Sequence, residues 1–377
     1  MLGGITFGDW VRLLCDNRFD VSPRRLVRAM AITAQSAQNS VMRRIEDWRY
    51  GEIVRRDAQV LPGGAPLFVL GHWRSGTTHL HNLLALDERF AFPNNYQALF
   101  PHAMLSMERT QSPFIQWFLS PRRPMDNIEW TMRSPQEDEF ALCVMTFMSP
   151  CMGWFFPKRR DHYDRYLTFR GVEDREVKRW QAALAAYVKR LSWKYSGRPL
   201  VLKSPPHTGR IRRLLEVFPR AKFVHVHRDP CAVFSSTHKM LTVNFSLHCL
   251  QRPPTGEDLD EWIIRQYRAM HDAFFEERDS IPPGQYHEVR FDELEADPVG
   301  QMERVYEALG LGDFSPARPA LERYVDGVRG YRKNAFPELP AALRNRIADA
   351  WRPCFEQWGY ALDPAPDHAC EGAARRC

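Results

Sequence analysis

The stretch PLFVLGHWRSGTTHL, residues 66–80, decides how the chain reads. PLFVLG is a short apolar run closed by a glycine, the pattern of a strand buried on both faces of a parallel sheet. A turn follows it, and TTHL opens a helix. A strand that feeds a Gly-containing loop and then a helix aims several backbone N–H groups at one spot. The positive end of the helix dipole points there too. This is the setting of a phosphate-binding loop. The nucleoside triphosphate version reads G-x-x-x-x-G-K-[ST]. Gly71, Gly76 and Thr78 fit it, but Thr77 fills the lysine slot. That lysine reaches the β- and γ-phosphates, so its loss argues against γ-phosphoryl transfer. Arg74 supplies instead a planar fork of donors suited to a phosphate ester. The hydroxyls of Ser75, Thr77 and Thr78 add further donors.

Three later runs share the look of the first: PLVLKS (199–204), KFVHVHRD (222–229) and QYHEVRF (285–291). Helical patterns occupy 76–86, 206–218, 258–278 and 298–310. This alternation predicts an α/β fold, a parallel sheet covered by helices on both faces. The stretch between 90 and 193 lacks the rhythm and is rich in Pro, Met and aromatics. It reads as helices and long loops over the C-terminal edge of the sheet. The chain is therefore read as a single domain: N-terminal helices over 1–60, a nucleotide-binding core over 66–90 and 197–310, a substrate-covering insertion over 91–196, a helical region over 311–363, and a frayed tail over 364–377.

The bulk properties narrow the setting. The 377 residues hold ample core for an enzyme, and 44% apolar with 26% charged residues is the composition of a globular protein rather than a disordered one. The net charge of +6 is mild, and there is no basic tail to grip nucleic acid. The eight cysteines form no C-x-x-C pair, so neither a zinc site nor a redox dithiol is indicated and no metal is expected. His79 and His81 flank the loop helix and are read as packing residues. The N-terminus lacks the features of a signal peptide, and no apolar run reaches the ~20 residues that span a bilayer. A reducing cytoplasm is the expected location. The arginine-rich helical pattern before residue 60 would pack on the main domain or face a membrane or an acidic partner.

A second anion site is written in KFVHVHRDPCAVFSSTHKM. Arg228 stands at a strand end, Asp229 and Pro230 suit the start of a helix, and Ser236 lies two turns into it. Two anion sites at the ends of two parallel strands imply one ligand with two phosphates. Here GHWRSGTTHL resembles the 5′-phosphosulfate loop of the sulfotransferases that use 3′-phosphoadenosine-5′-phosphosulfate (PAPS). RDPCAVFSS resembles their 3′-phosphate motif, with the Arg-to-Ser spacing kept. The likeness covers about 66–240 and, more loosely, the C-terminal region, and is strongest to bacterial members with Arg at the position of Arg74. It implies a P-loop NTPase-like sheet. It also implies that Arg74, Ser75, Gly76, Thr77 and Thr78 bind the 5′-phosphosulfate, and that Arg228 and Ser236 bind the 3′-phosphate. Lys203 falls at the family's catalytic lysine. Many relatives close over the 3′-phosphate with an R-K-G loop; GYRKNAF offers Arg332 and Lys333 without the glycine.

Sulfuryl transfer asks for cations on the leaving phosphate and a base on the attacking hydroxyl. Arg74 and Lys203 are the expected cations. For the base, SPQEDEFAL presents Glu137, Asp138 and Glu139 at a helix start, and KSPPHTGR presents His207; the acidic segment ranks ahead of His207. Glu137 and Glu139 cannot share a helix face, so at most one or two of the three should point into the site. The slot two residues after Lys203, a histidine in cytosolic relatives, is Pro205 here. The expected activity is transfer of a sulfuryl group from PAPS to a hydroxyl or amine of a small-molecule, lipid or carbohydrate acceptor. A P-loop small-molecule kinase and a non-catalytic nucleotide-fold binding protein are the alternatives.

Overall fold

The computed structural model describes residues 2–56, 64–118, 131–328 and 336–362. Among these the sheet has four strands: β1 Leu67–Leu70, β2 Val201–Lys203, β3 Lys222–His227 and β4 Tyr286–Arg290. They run in the order β2-β1-β3-β4 and every pairing is parallel. The strand cores expected from apolar runs are the strands observed, each trimmed by a residue or two at its ends.

Alternation along the strands sorts their side chains into two cores. Leu67, Val69, Val201, Val224, Val226 and Val289 face one layer, made largely by the helices Thr77–Leu84 and Pro298–Leu309. Phe68, Leu70, Leu202 and Phe223 face the other and larger layer. That layer takes in the long helices Asp174–Lys194, Pro230–His248 and Glu257–Glu277. Both faces are covered, which is why the strands read as continuous apolar runs.

In chain order the first helices are α1 Phe7–Asp16, α2 Leu26–Arg56, α3 Thr77–Leu84, α4 Asn95–Leu99, α5 Glu108–Phe118 and α6 Asp138–Thr146. The stretch expected to lack strands is helical and looped where described; it adds an isolated bridge from Ala91 to Leu200 and packs helices such as Asp174–Lys194 on the larger face of the sheet. The helices α3 and Pro230–His248 both leave strand C-terminal ends, so the site residues converge on one edge of the sheet, where ligands bind in open α/β folds. Arg332, Lys333 and the tail after 363 lie outside the described residues.

Candidate active site

The loop between β1 and α3 is held by its glycines. Gly71 has φ 135° and donates its N–H to Thr208 Oγ1 at 2.7 Å. A Cβ there would run into the Val226 carbonyl and Ser75 Oγ. Gly76 has φ 107° and caps α3, and a Cβ there would run into the Phe291 ring. The loop thus sits wedged between β3 and the residue after β4. Arg74 takes a left-handed φ of 71°, which costs a non-glycine residue roughly 1–2 kcal/mol. Ser75 is buried and its hydroxyl donates to the His72 carbonyl at 2.8 Å. Thr77 and Thr78 open α3, where the first N–H groups have no carbonyl a turn behind them.

The second site lies one bond away. Asp229 caps the Pro230–His248 helix through the Ala232 N–H at 2.7 Å, with Pro230 in its first turn. Two turns on, Ser236 Oγ accepts from Arg74 Nε at 2.9 Å. Arg228 reaches back to the Arg74 carbonyl at 3.5 Å and stacks 4.6 Å over the Phe291 ring. Burial lowers the pKa of Arg228 from its usual value, with Asp292 and Glu295 opposing. The two anion sites of the sequence are one cluster, and a desolvated guanidinium gains most from an anion at hydrogen-bonding range.

The acidic run faces the segment after β2. Lys203 pairs in register with Val69 of β1. Its Nζ lies 2.7 Å from Glu137 Oε1, and both residues are buried. One residue on, Asp138 Oδ2 meets His207 Nε2 at 2.6 Å; both side chains are fully enclosed. Next, Glu139 takes Arg210 at 2.8 Å and the Ser204 hydroxyl at 3.1 Å. Three consecutive carboxylates thus meet three bases. Glu137 is the N-cap of α6 and stands outside its periodicity, so all three side chains turn inward. Of the three pairs only Lys203–Glu137 keeps any exposed side-chain surface; those of Asp138, Glu139, His207 and Arg210 are fully enclosed.

The second oxygen of Glu137, Oε2, is buried and has no hydrogen-bond partner among the described residues. His207 instead packs edge-on against Phe68 and Trp180, with ring centroids at 5.4 and 6.0 Å. His81 is buried near Lys203, and burial followed by that ammonium charge pushes its pKa well down. His79 stacks on Tyr324 at 6.4 Å. Thr208, Arg210 and Phe291 were not legible in the sequence. A threonine bracing a glycine N–H and a phenylalanine under a guanidinium leave no local spacing to read.

Comparison with known proteins gives the family. The sulfotransferase family model matches residues 66–316. The chain is 36% identical over 357 residues to the omega-hydroxy-beta-dihydromenaquinone-9 sulfotransferase Stf3 of Mycobacterium bovis. The match covers 95% of this chain and 90% of the relative, and the Mycobacterium tuberculosis protein of that name gives the same figures. The chain belongs to the sulfotransferase family. It is therefore an enzyme that transfers sulfate, on an α/β fold of the P-loop NTPase-like kind. The sulfotransferase STF9 of Mycobacterium avium superposes with a TM-score of 0.70 at 19% identity, over 92% of this chain and 88% of that one. STF1 of Mycobacterium tuberculosis gives 0.60 at 18%, over 91% and 92%.

Proposed function

We propose that this sulfotransferase moves the sulfuryl group of PAPS to a hydroxyl of a lipid-like acceptor and releases 3′,5′-ADP. The observation that carries the reading is the Lys203–Glu137 pair beside the strand that feeds the loop, with Glu137 Oε2 buried and unpartnered among the described residues. The donor fits the residues around it: two glycines that leave no room for side chains, the α3 N-terminus, and the Arg74–Ser236–Arg228 cluster. The acceptor class follows the Stf3 relative, whose name gives it a hydroxylated dihydromenaquinone.

The paired residues divide the work. Glu137 Oε2 takes the proton of the acceptor hydroxyl, whose oxygen forms the new bond to sulfur. The bond from sulfur to the 5′-phosphate oxygen breaks, and Lys203 Nζ meets the charge left on that oxygen. Arg74 and the α3 N–H groups hold the same phosphate, while Arg228 and Ser236 hold the 3′-phosphate. Asp138–His207 and Glu139–Arg210 position the acidic run and touch no substrate.

Glu137→Gln tests the assignment. Losing a positioned base costs about 10²–10⁴-fold in rate. Turnover should fall by that much, with thermal stabilisation by 3′,5′-ADP unchanged. Wild-type turnover in Glu137→Gln alongside a dead but folded His207→Asn would overturn it. Stabilisation by ATP–Mg²⁺ but not by 3′,5′-ADP would remove the donor assignment.

A further inference from the structure

Helix α2 turns the wrong face to solvent. Its buried residues, Ala29, Ser36, Asn39, Met42, Glu46 and Val54, lie on one side. The opposite stripe reads Val27, Met30, Ala34, Ala37, Val41 and Trp48, all exposed. At 1.5 Å per residue the stripe runs about 30 Å, until Glu52 ends it. A solvated helix face carries polar side chains; this one does not.

Neighbouring helices widen the patch. On one flank α1 is tied to α2 by Trp10 Nε1 to Thr33 Oγ1 and by the Phe7 N–H to Ser40 Oγ, both 2.8 Å. Its Phe7 and Val11 are exposed. On the other flank, Glu46 of α2 takes the N–H groups of Leu105 and Ser106, and Gln111 of α5 reaches Met42. No residue of α5 is buried. Its outer row ends in Phe114, Trp117 and Phe118, and Trp117 and Phe118 are 85% and 73% exposed, as Trp48 is 81%. Arginines outnumber acids at its edge: Arg24, Arg44, Arg49 and Arg109 are exposed there, against Asp47 and Glu52.

We propose that α1, α2 and α5 form a docking surface for an anionic phospholipid membrane. Amphipathic aromatics over an apolar stripe, with arginines at the edge, are the composition of a helix lying in a lipid interface. Charge selects lipid over a second copy of the chain: pairing the stripe with itself sets the arginine rim against itself, whereas anionic headgroups complement it. No described helix is long and apolar enough to cross a bilayer, so the contact is peripheral. The surface also leads to the chemistry. Gln116 of α5 accepts from the Met132 N–H at 2.7 Å, Gln136 donates to Asn95, and the next residue is Glu137. A lipid acceptor would enter from the bilayer beside its base. This function of the surface rests on the acceptor proposed above, but its binding does not.

Vesicle co-sedimentation of the full chain tests it, with phosphatidylcholine vesicles against the same vesicles carrying phosphatidylglycerol. The wild type should bind the anionic vesicles at least tenfold better, and less so as salt rises. Trp48→Ser/Trp117→Ser/Phe118→Ser and, separately, Arg44→Glu/Arg49→Glu should each lose about tenfold in binding. Both should keep the wild-type thermal stabilisation by 3′,5′-ADP. No preference for anionic vesicles, or a dimer in light scattering that the triple variant breaks without any vesicle binding, would overturn the proposal. Loss of 3′,5′-ADP stabilisation in the wild type would instead strike the donor reading and leave vesicle binding standing.

Discussion

Lys203 lies beside the strand that feeds the loop over 71–76 and pairs with the first residue of the acidic run over 137–139, yet loop and run are built in opposite ways. The loop is backbone: two left-handed glycines, one left-handed arginine and a helix start, all within a few residues. The acidic run is side chains: three pairs reaching across 66, 69 and 71 residues of sequence. The first kind of structure holds a ligand with groups that exist in any chain, and its residues are chosen for what they leave out. The second depends on the identity of each partner, and leaving one partner alone exposes a buried charge to a dry surrounding. Changes in the loop should therefore weaken the donor; changes in the acidic run should weaken the protein.

Removing Arg210 is the largest test of this contrast. Its guanidinium takes Glu139 and the Tyr166 carbonyl and lies over the Phe169 and Trp180 rings, with no exposed side-chain surface. Breaking a buried pair by deleting one partner costs about 3–5 kcal/mol, because the remaining charge is uncompensated. Arg210→Met should lower the free energy of unfolding in urea by that amount. Adding Glu139→Gln should restore part of it. A loss below about 1 kcal/mol would show that the ladder holds nothing together.

The same contrast explains what could be read beforehand. Strand runs, the Gly71–Gly76 spacing, the Asp229–Pro230 helix start and the Arg228–Ser236 interval are local patterns, and each is found where the sequence puts it. The run 137–139 was visible as acidic, but which carboxylate meets Lys203 was not. That depends on Glu137 being an N-cap and on which base follows β2 at which turn of the chain. His207 ranked behind the acidic segment on sequence, and its ring is enclosed between Phe68 and Trp180. Phe291, which backs both Gly76 and Arg228, arrives from a strand that ends more than 200 residues after the loop begins.

Acid should act on the loop side first, with a smaller effect. His72, within the loop, packs inward against Tyr267 and His271, and burial lowers its pKa to about 4, with a bond to the Trp73 carbonyl opposing. The unfolded chain takes up this proton near 6.5, the fold only near 4. Stability from His72 is thus complete above pH 6.5 and drains as pH falls toward 4. Between pH 6.5 and 5 the loss is on the order of 2 kcal/mol for this one group. Burial lowers His102, His227 and His248 to about 3, and they act in the same direction; Asp164, raised to about 7 by burial, acts against them. Urea midpoints across that window should fall with pH, and His72→Gln should flatten the slope. A slope unchanged by that substitution would mean the loop does not rest on a neutral histidine.

The smallest effect should come from Ser236→Ala, and it is the sharpest on the donor side. Ser236 Oγ accepts from Arg74 Nε, joining the loop to the helix proposed to hold the 3′-phosphate. A hydrogen bond to a charged group is worth about 1.5–3 kcal/mol when dry, and less here, because Arg74 is only half-buried. Losing the hydroxyl should raise the KM for PAPS about tenfold, near 1.4 kcal/mol, with kcat within a factor of two. Unfolding in urea should move by less than about 1.5 kcal/mol, since one hydrogen bond to a half-exposed charge is lost and no buried charge is orphaned. If Ser236→Ala lowered kcat as Glu137→Gln is expected to, the cluster at Arg74 would belong to the chemistry rather than to holding the donor. The division between a binding half and a reacting half would then have to be redrawn with Arg74 beside Lys203.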